Sequence, residues 1–150
     1  WNTVVAFPEL PPPSEMIFLA GISYPIRATL DGEGVGAIRT CEFNSGAFIE
    51  PITEWNPPYR LAFSVDSMPV PMKELSPWNV QPKHLHGYFI TTKGEFRLRA
   101  IDSATTELIG TTWYTMDVHP EWYWRLWTDY IVHTIHFRVL DGIAAAAILK

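Results

Sequence analysis

Hydrophobic positions change their period twice along this chain of 150 residues. Residues 1–7 carry apolar side chains at helical spacing and read as the end of a helix that began earlier. Pro8 and the run Pro11-Pro12-Pro13 stop it, because proline lacks the N–H a helix interior needs. Ser14 can cap a short second helix over residues 15–19, which Gly21 would end. From Tyr24 the period falls to two, with Ile26, Ala28 and Leu30 alternating with Arg27 and Thr29, and this predicts a strand. Asp31-Gly32-Glu33-Gly34 turns the chain into a second strand, 35–43. There Arg39, Cys41 and Phe43 share one face and Ile38, Thr40 and Glu42 the other. Asn44-Ser45-Gly46 makes a hairpin turn, 47–55 a third strand, Asn56-Pro57-Pro58 another turn and 60–66 a fourth strand.

Residues 67–82 break this rhythm with Pro69, Pro71, Pro77 and Pro82 set among Met68, Met72, Leu75 and Trp78. A loop so long and apolar reads as a flap packed over something. Beyond it, 88–92 reads as a strand, Lys93-Gly94 as a turn, and 95–101 as a strand with Phe96, Leu98 and Ala100 opposite Glu95, Arg97 and Arg99. Residues 106–118 form the last predicted strand. Pro120 then stands where a helix would begin, and no further proline follows. Trp122, Trp124, Trp127, Tyr130, Ile131, Ile135, Val139 and Ile143 continue at helical spacing to the end of the chain.

Short helices, an antiparallel meander and one long C-terminal helix predict an α+β fold in which a curved sheet wraps around that helix, in a single domain over 1–150. Apolar residues lie nearly all round the helix, so it needs cover on most sides. A composition 47% hydrophobic and 14% aromatic excludes a disordered chain. A formal charge of −5, with only 11 scattered basic residues, excludes a nucleic-acid surface. The lone Cys41 excludes an internal disulfide and reads as a buried thiol. Arg125, Asp129, His133, His136, Arg138 and Asp141 interrupt the terminal helix, so no stretch reaches the roughly 18 uncharged apolar residues of a membrane span. The opening on Trp1 reads as a fragment or a processed product, attached to whatever lies upstream, a membrane anchor included.

The element order resembles the helix-grip fold. Particular residues carry the likeness further: Gly34-Val35-Gly36-Ala37-Ile38-Arg39, then Ile52-Thr53-Glu54-Trp55-Asn56-Pro57-Pro58 with Arg60-Leu61-Ala62-Phe63, and residues 106–114 (TELIGTTWY) running into the helix. Over residues 24–143 the chain resembles the SRPBCC superfamily, which includes START-related lipid carriers, birch-pollen-allergen-like proteins and polyketide cyclases. The resemblance implies a cavity between sheet and C-terminal helix that holds a hydrophobic small molecule, lipid-like or aromatic. On that reading Arg39, Phe63, Tyr114, Trp124, Trp127, Ile131 and Ile135 contact the ligand. The family's first strand would precede Trp1, which leaves a sheet edge for a protein partner or an upstream membrane segment to cover.

Arg125, Asp129, His133 and His136, spaced by four, four and three, form one polar stripe on the helix. Asp129, His133 and His136 can converge on a divalent metal, the one cofactor the sequence suggests. The same stripe can instead be a hydrogen-bonded ladder, or a set of polar groups that fix a ligand. His84 and His86 share a side if extended, and otherwise read as ordinary loop residues; no metal-protease or nucleophile-elbow pattern accompanies them. Glu50 and Glu54 share a strand and are candidates for acid–base work, with Arg39, Glu50 and Tyr114 as polar cavity residues. Trp113, Tyr114, Trp122, Tyr123, Trp124, Trp127 and Tyr130 read as core and cavity lining, as a membrane-interface belt, or as a docking surface for a protein. Three functions therefore stand side by side. These are a binding module for a hydrophobic molecule, a polyketide-cyclase-like or metal-assisted enzyme, and an accessory domain of a larger, membrane-bound assembly.

Overall fold

The computed structural model describes residues 1–72 and 87–148. Two short helices, α1 (Asn2–Val5) and α2 (Met16–Leu19), precede β1 (Pro25–Asp31), β2 (Ile38–Phe43), β3 (Gly46–Asn56), β4 (Arg60–Ser64), β5 (Phe89–Ala100) and β6 (Thr106–Met116). The helix α3 (Glu121–Ile148) follows. The strands pair antiparallel in the order β1-β2-β3-β4-β5-β6. Register shifts at Pro25/Arg27, Ile52/Glu54 and Thr91/Lys93 bend the sheet, since a bulge raises local twist. A curved antiparallel sheet thus takes α3 against its inner face, the helix-grip arrangement expected.

Alternation decides which residues reach that inner face. Arg39 and Cys41 of β2, Glu50 and Ile52 of β3, Leu61 and Phe63 of β4, and Phe96 of β5 are buried. Val139 and Ile143 of α3 join Val4, Val5, Phe7, Leu10 and Ala28 in the core, so the C-terminal half of α3 carries most of its burial. A methyl group at Gly142 would lie 2.2 Å from Leu10 Cδ2; glycine there lets the N-terminal segment approach the helix. Arg138 fastens the same place, donating Nε–H to the Pro25 carbonyl at 3.2 Å and an Nη2 proton to the Pro11 carbonyl.

The N-terminal segment also alters the expected bare edge. Phe7 and Ala28 exchange N–H···O bonds of 3.1 Å in both directions, and Leu10 N–H donates to the Ile26 carbonyl at 2.7 Å. Part of the outer edge of β1 is therefore paired by the chain itself.

Four local expectations are corrected. Ser14 does not cap α2: Glu15 is the N-cap, without a side-chain capping bond, and the Ser14 N–H donates to Glu15 Oε2 at 2.9 Å. β2 starts at Ile38 because Gly34 and Gly36, at φ of 81° and 91°, hold the exposed Val35 in a turn. Lys93-Gly94 is not a turn, since β5 runs through it unbroken. Gly94 stands opposite Phe63, and a Cβ there would lie 2.6 Å from Phe63 Cζ, so this glycine admits an aromatic ring.

The fourth correction concerns α3. The sheet covers one side of it only, and Trp122 (72% exposed), Leu126, Trp127, Tyr130 and Phe137 (60%) face away. By length and composition α3 is also apolar enough to cross a membrane, which its interruptions do not prevent. Its sheet side nevertheless carries Asp129, His136 and Arg138, each hydrogen-bonded to the rest of the fold.

Candidate functional site

A cavity of two adjoining lobes lies between the inner face of the sheet and α3, with Phe43, Phe48, Phe89, Val132 and Ile135 bordering both. The first lobe, about 130 Å³, is lined by Arg39, Cys41, Glu50, Phe63 and Phe96 from the sheet and by Ile135, His136, Val139 and Leu140 from the helix. Beside the helix, β6 contributes Gly110, Thr111 and Thr112, and these short side chains leave space that larger ones would fill. The second lobe, about 110 Å³, lies under Met68, Pro69 and Pro71 and beside Ile22, Thr128 and Ile131. An apolar cavity of roughly 150 Å³ takes benzene, so each lobe suits about one ring.

Residues 66–72, the described part of the proline-rich loop, are stitched down over the second lobe. Ile49 N–H donates to the Ser67 carbonyl and Asp66 N–H to the Ile49 carbonyl, both at 2.9 Å. Ser23 and Ser45 hydroxyls donate to the Val70 carbonyl at 2.7 and 2.8 Å, and Ser23 N–H donates to the Pro71 carbonyl at 3.0 Å. The flap read from the sequence therefore packs over the cavity as far as residue 72. The remainder of that loop, with His84 and His86, lies outside the described residues.

One charged pair stands in the apolar wall. Arg39 and Glu50 are 2% and 5% exposed and form an ion pair through Nη1 and Oε2. Arg39 Nε–H also donates to the Val5 carbonyl at 3.0 Å, and its guanidinium carbon lies 5.3–5.7 Å from the ring centroids of Phe63, Phe96 and Phe7. Burial disfavours the arginine's charge, but Glu50 and Cys41 together outweigh it and hold Arg39 above its usual range. Burial likewise pushes the Glu50 carboxyl up against the pull of Arg39. It pushes the Cys41 thiol up to about 12, which leaves it protonated and unreactive.

The polar stripe on α3 splits between three environments. Tyr114 O–H donates to Asp129 Oδ1 at 2.5 Å, and burial together with this bond pushes the phenol up to about 12. His136 lines the first lobe with Nε2 at 2.7 Å from Thr112 Oγ1, and burial, with His133 nearby, holds it below the usual imidazole range. His133 is exposed, its Nδ1 2.6 Å from the Asp129 backbone carbonyl. Asp129, His133 and His136 thus make separate bonds, and among the described residues no three His, Cys, Asp or Glu side chains are grouped to hold a metal ion.

Of the expected ligand contacts, Arg39, Phe63 and Ile135 line the first lobe, while Ile131 and Ile135 line the second. Tyr114 stands beside them, its ring 4.9 Å from that of Phe89. Trp124 and Trp127 do not line either lobe; they are 42% and 51% exposed, towards the N-terminal end of α3 beyond the residues that border the cavity. Glu50 belongs to the cavity, whereas Glu54 pairs with Arg60 at 2.9 Å on the outer face. The sequence reading passed over Phe43, Phe48, Phe89 and Val132. Alternation pointed to Phe43 and Phe48, which share their faces with Arg39 and Glu50. Comparison with family models, with curated proteins and with solved structures found no match to this chain.

Proposed function

We propose that this chain is an SRPBCC-type domain that binds a hydrophobic small molecule, lipid-like or aromatic, between its sheet and α3. The observation that carries this reading is the two-lobed cavity, walled by five phenylalanines and the aliphatic side of the helix. A core meant only for stability packs without voids of this size, and a site of apolar rings with few polar groups is how small-molecule pockets are built. The test is displacement of an environment-sensitive naphthyl dye by apolar compounds, repeated on Val132→Trp, whose indole would occupy the junction of the lobes. The wild type should bind the dye and the variant should lose it while remaining folded. Dye binding that the filled junction leaves unchanged would overturn the reading.

The exposed aromatic side of α3 favours a second reading, that the domain is an accessory part of a larger, membrane-bound assembly. Trp122, Leu126, Trp127 and Tyr130 offer the apolar and amphipathic surface such contacts use. Co-sedimentation with lipid vesicles, lost on replacing these four by serine, tests the membrane form of it. A wild type that stays in the supernatant as fully as that variant would refute it.

A further inference from the structure

We propose that the first lobe selects an uncharged amphiphile, a molecule with an apolar body and one hydroxyl or carbonyl group seated against the Arg39–Glu50 pair. This inference rests on the binding reading above and adds the chemical class of the ligand. Arg39 and Glu50 are almost wholly buried and both line the lobe. Among the described residues, the Val5 carbonyl and Glu50 Oε2 accept from Arg39 Nε and Nη1, the Cys41 thiol is a further partner of the guanidinium, and these bonds leave Glu50 Oε1 untaken. No fully buried side-chain nitrogen or oxygen there lacks a partner. Glu50, with 7% of its side chain exposed, therefore presents Oε1 as an acceptor beside the guanidinium.

The other polar groups of the lobe are spent elsewhere. His136 and Thr112 bond to each other, and the Glu95 carboxylate is taken by Arg60 and Arg97 at 2.7 and 2.8 Å. The pair itself has no net charge. A carboxylate brought to Arg39 would also approach Glu50, and an ammonium brought to Glu50 would approach Arg39, both in a wall of phenylalanine rings that cannot solvate a charge. A hydroxyl avoids both penalties, donating to Oε1 or accepting from the guanidinium. A carbonyl can only accept, from the guanidinium. The lobes suit one ring each, so a fused bicyclic body spanning the shared Phe43, Phe48 and Phe89 border fits the available space.

The test is a matched series, naphthalene, 2-naphthol and 2-naphthoate, titrated calorimetrically against the wild type and against Arg39→Met/Glu50→Leu, which replaces the pair by apolar side chains of similar size. One hydrogen bond to a charged group should make 2-naphthol about tenfold tighter than naphthalene. Naphthoate should be the weakest of the three. In the double variant the advantage of naphthol should vanish while naphthalene still binds. Naphthoate binding as tightly as naphthol, or a naphthol preference that survives in the double variant, would overturn the inference while leaving the binding reading intact. Failure of all three compounds to bind would overturn both. Should the double variant not fold, the wild-type ranking alone decides.

Discussion

Replacing Gly94 by alanine probes how tightly the cavity wall is built. The new methyl would sit 2.6 Å from Phe63 Cζ and 2.7 Å from Cε2, where a carbon–carbon contact needs about 3.5–4.0 Å. The ring must therefore retreat by about 1 Å. Behind it lie the Arg39 guanidinium, 5.3 Å from the ring centroid, and Phe96 at 6.1 Å. Overpacking costs about 1–3 kcal/mol, and a ring that can yield towards a void should fall at the lower end, about 1–2 kcal/mol. Relief of glycine's own strand penalty returns about 0.5–1 kcal/mol, so the single variant should be destabilised only slightly. The packing cost becomes visible when Phe63→Leu removes the clash. In that background Gly94→Ala should be neutral or stabilising, giving a coupling of about 1–2 kcal/mol between the two sites. Urea denaturation of the four proteins measures it. Effects that add within about 0.5 kcal/mol would refute the close approach. Dye affinity should fall in Gly94→Ala as Phe63 moves into the first lobe.

Arg39→Met alone should cost about 3–5 kcal/mol, because it strands a buried carboxylate, whereas the paired change to Met and Leu should be near neutral or stabilising; denaturant titration compares them. His136 is held below its ordinary range, so folding favours its neutral form. Its contribution is complete above the unfolded value of about 6.5 and is lost as pH falls from there through the folded value. Urea midpoints should decline over that window, less steeply for His136→Gln, and equal slopes would refute the burial of this imidazole. Spectrophotometric titration should find one phenol ionising at about 12, absent from Tyr114→Phe, which should also be about 1–2 kcal/mol less stable. Trp124→Ala and Trp127→Ala should each change stability by no more than about 0.5 kcal/mol, with dye affinity unchanged; a loss of affinity would return these rings to the cavity.

The architecture was readable because period-two alternation and short turns leave a meander few alternatives. The inward direction of Arg39 and Phe63 was readable for the same reason, since their positions on a strand fix the face they take, whereas Ile131 and Ile135 rested on the resemblance. The tryptophans of α3 were not. Apolar residues almost surround that helix, so the pattern names no buried side, and only tertiary contacts choose one. Gly94 misled for a related reason: a glycine beside a lysine has the signature of a turn, and the ring that requires it lies 31 positions earlier in the chain. The charged pair needed two strands to be set in register, Arg39 opposite Glu50, before its isolation within the wall could be seen.

The 28 residues of α3 extend about 42 Å, and they are held unequally. Towards the C-terminus the helix behaves as a clamped beam, with Leu10 locked against Gly142, Arg138 tied to two backbone carbonyls, and Val139 and Ile143 sunk in the core. Ahead of that clamp its described side-chain ties, Thr128 to Met116 Sδ, Tyr114 to Asp129 and, in mid-helix, Thr112 to His136, all run to β6, a strand at the margin of the sheet. The second lobe lies beneath this loosely pinned stretch, while the first lies nearer the clamp. A displacement of this part of the helix would therefore break a few bonds to one marginal strand and leave the other five strands in register.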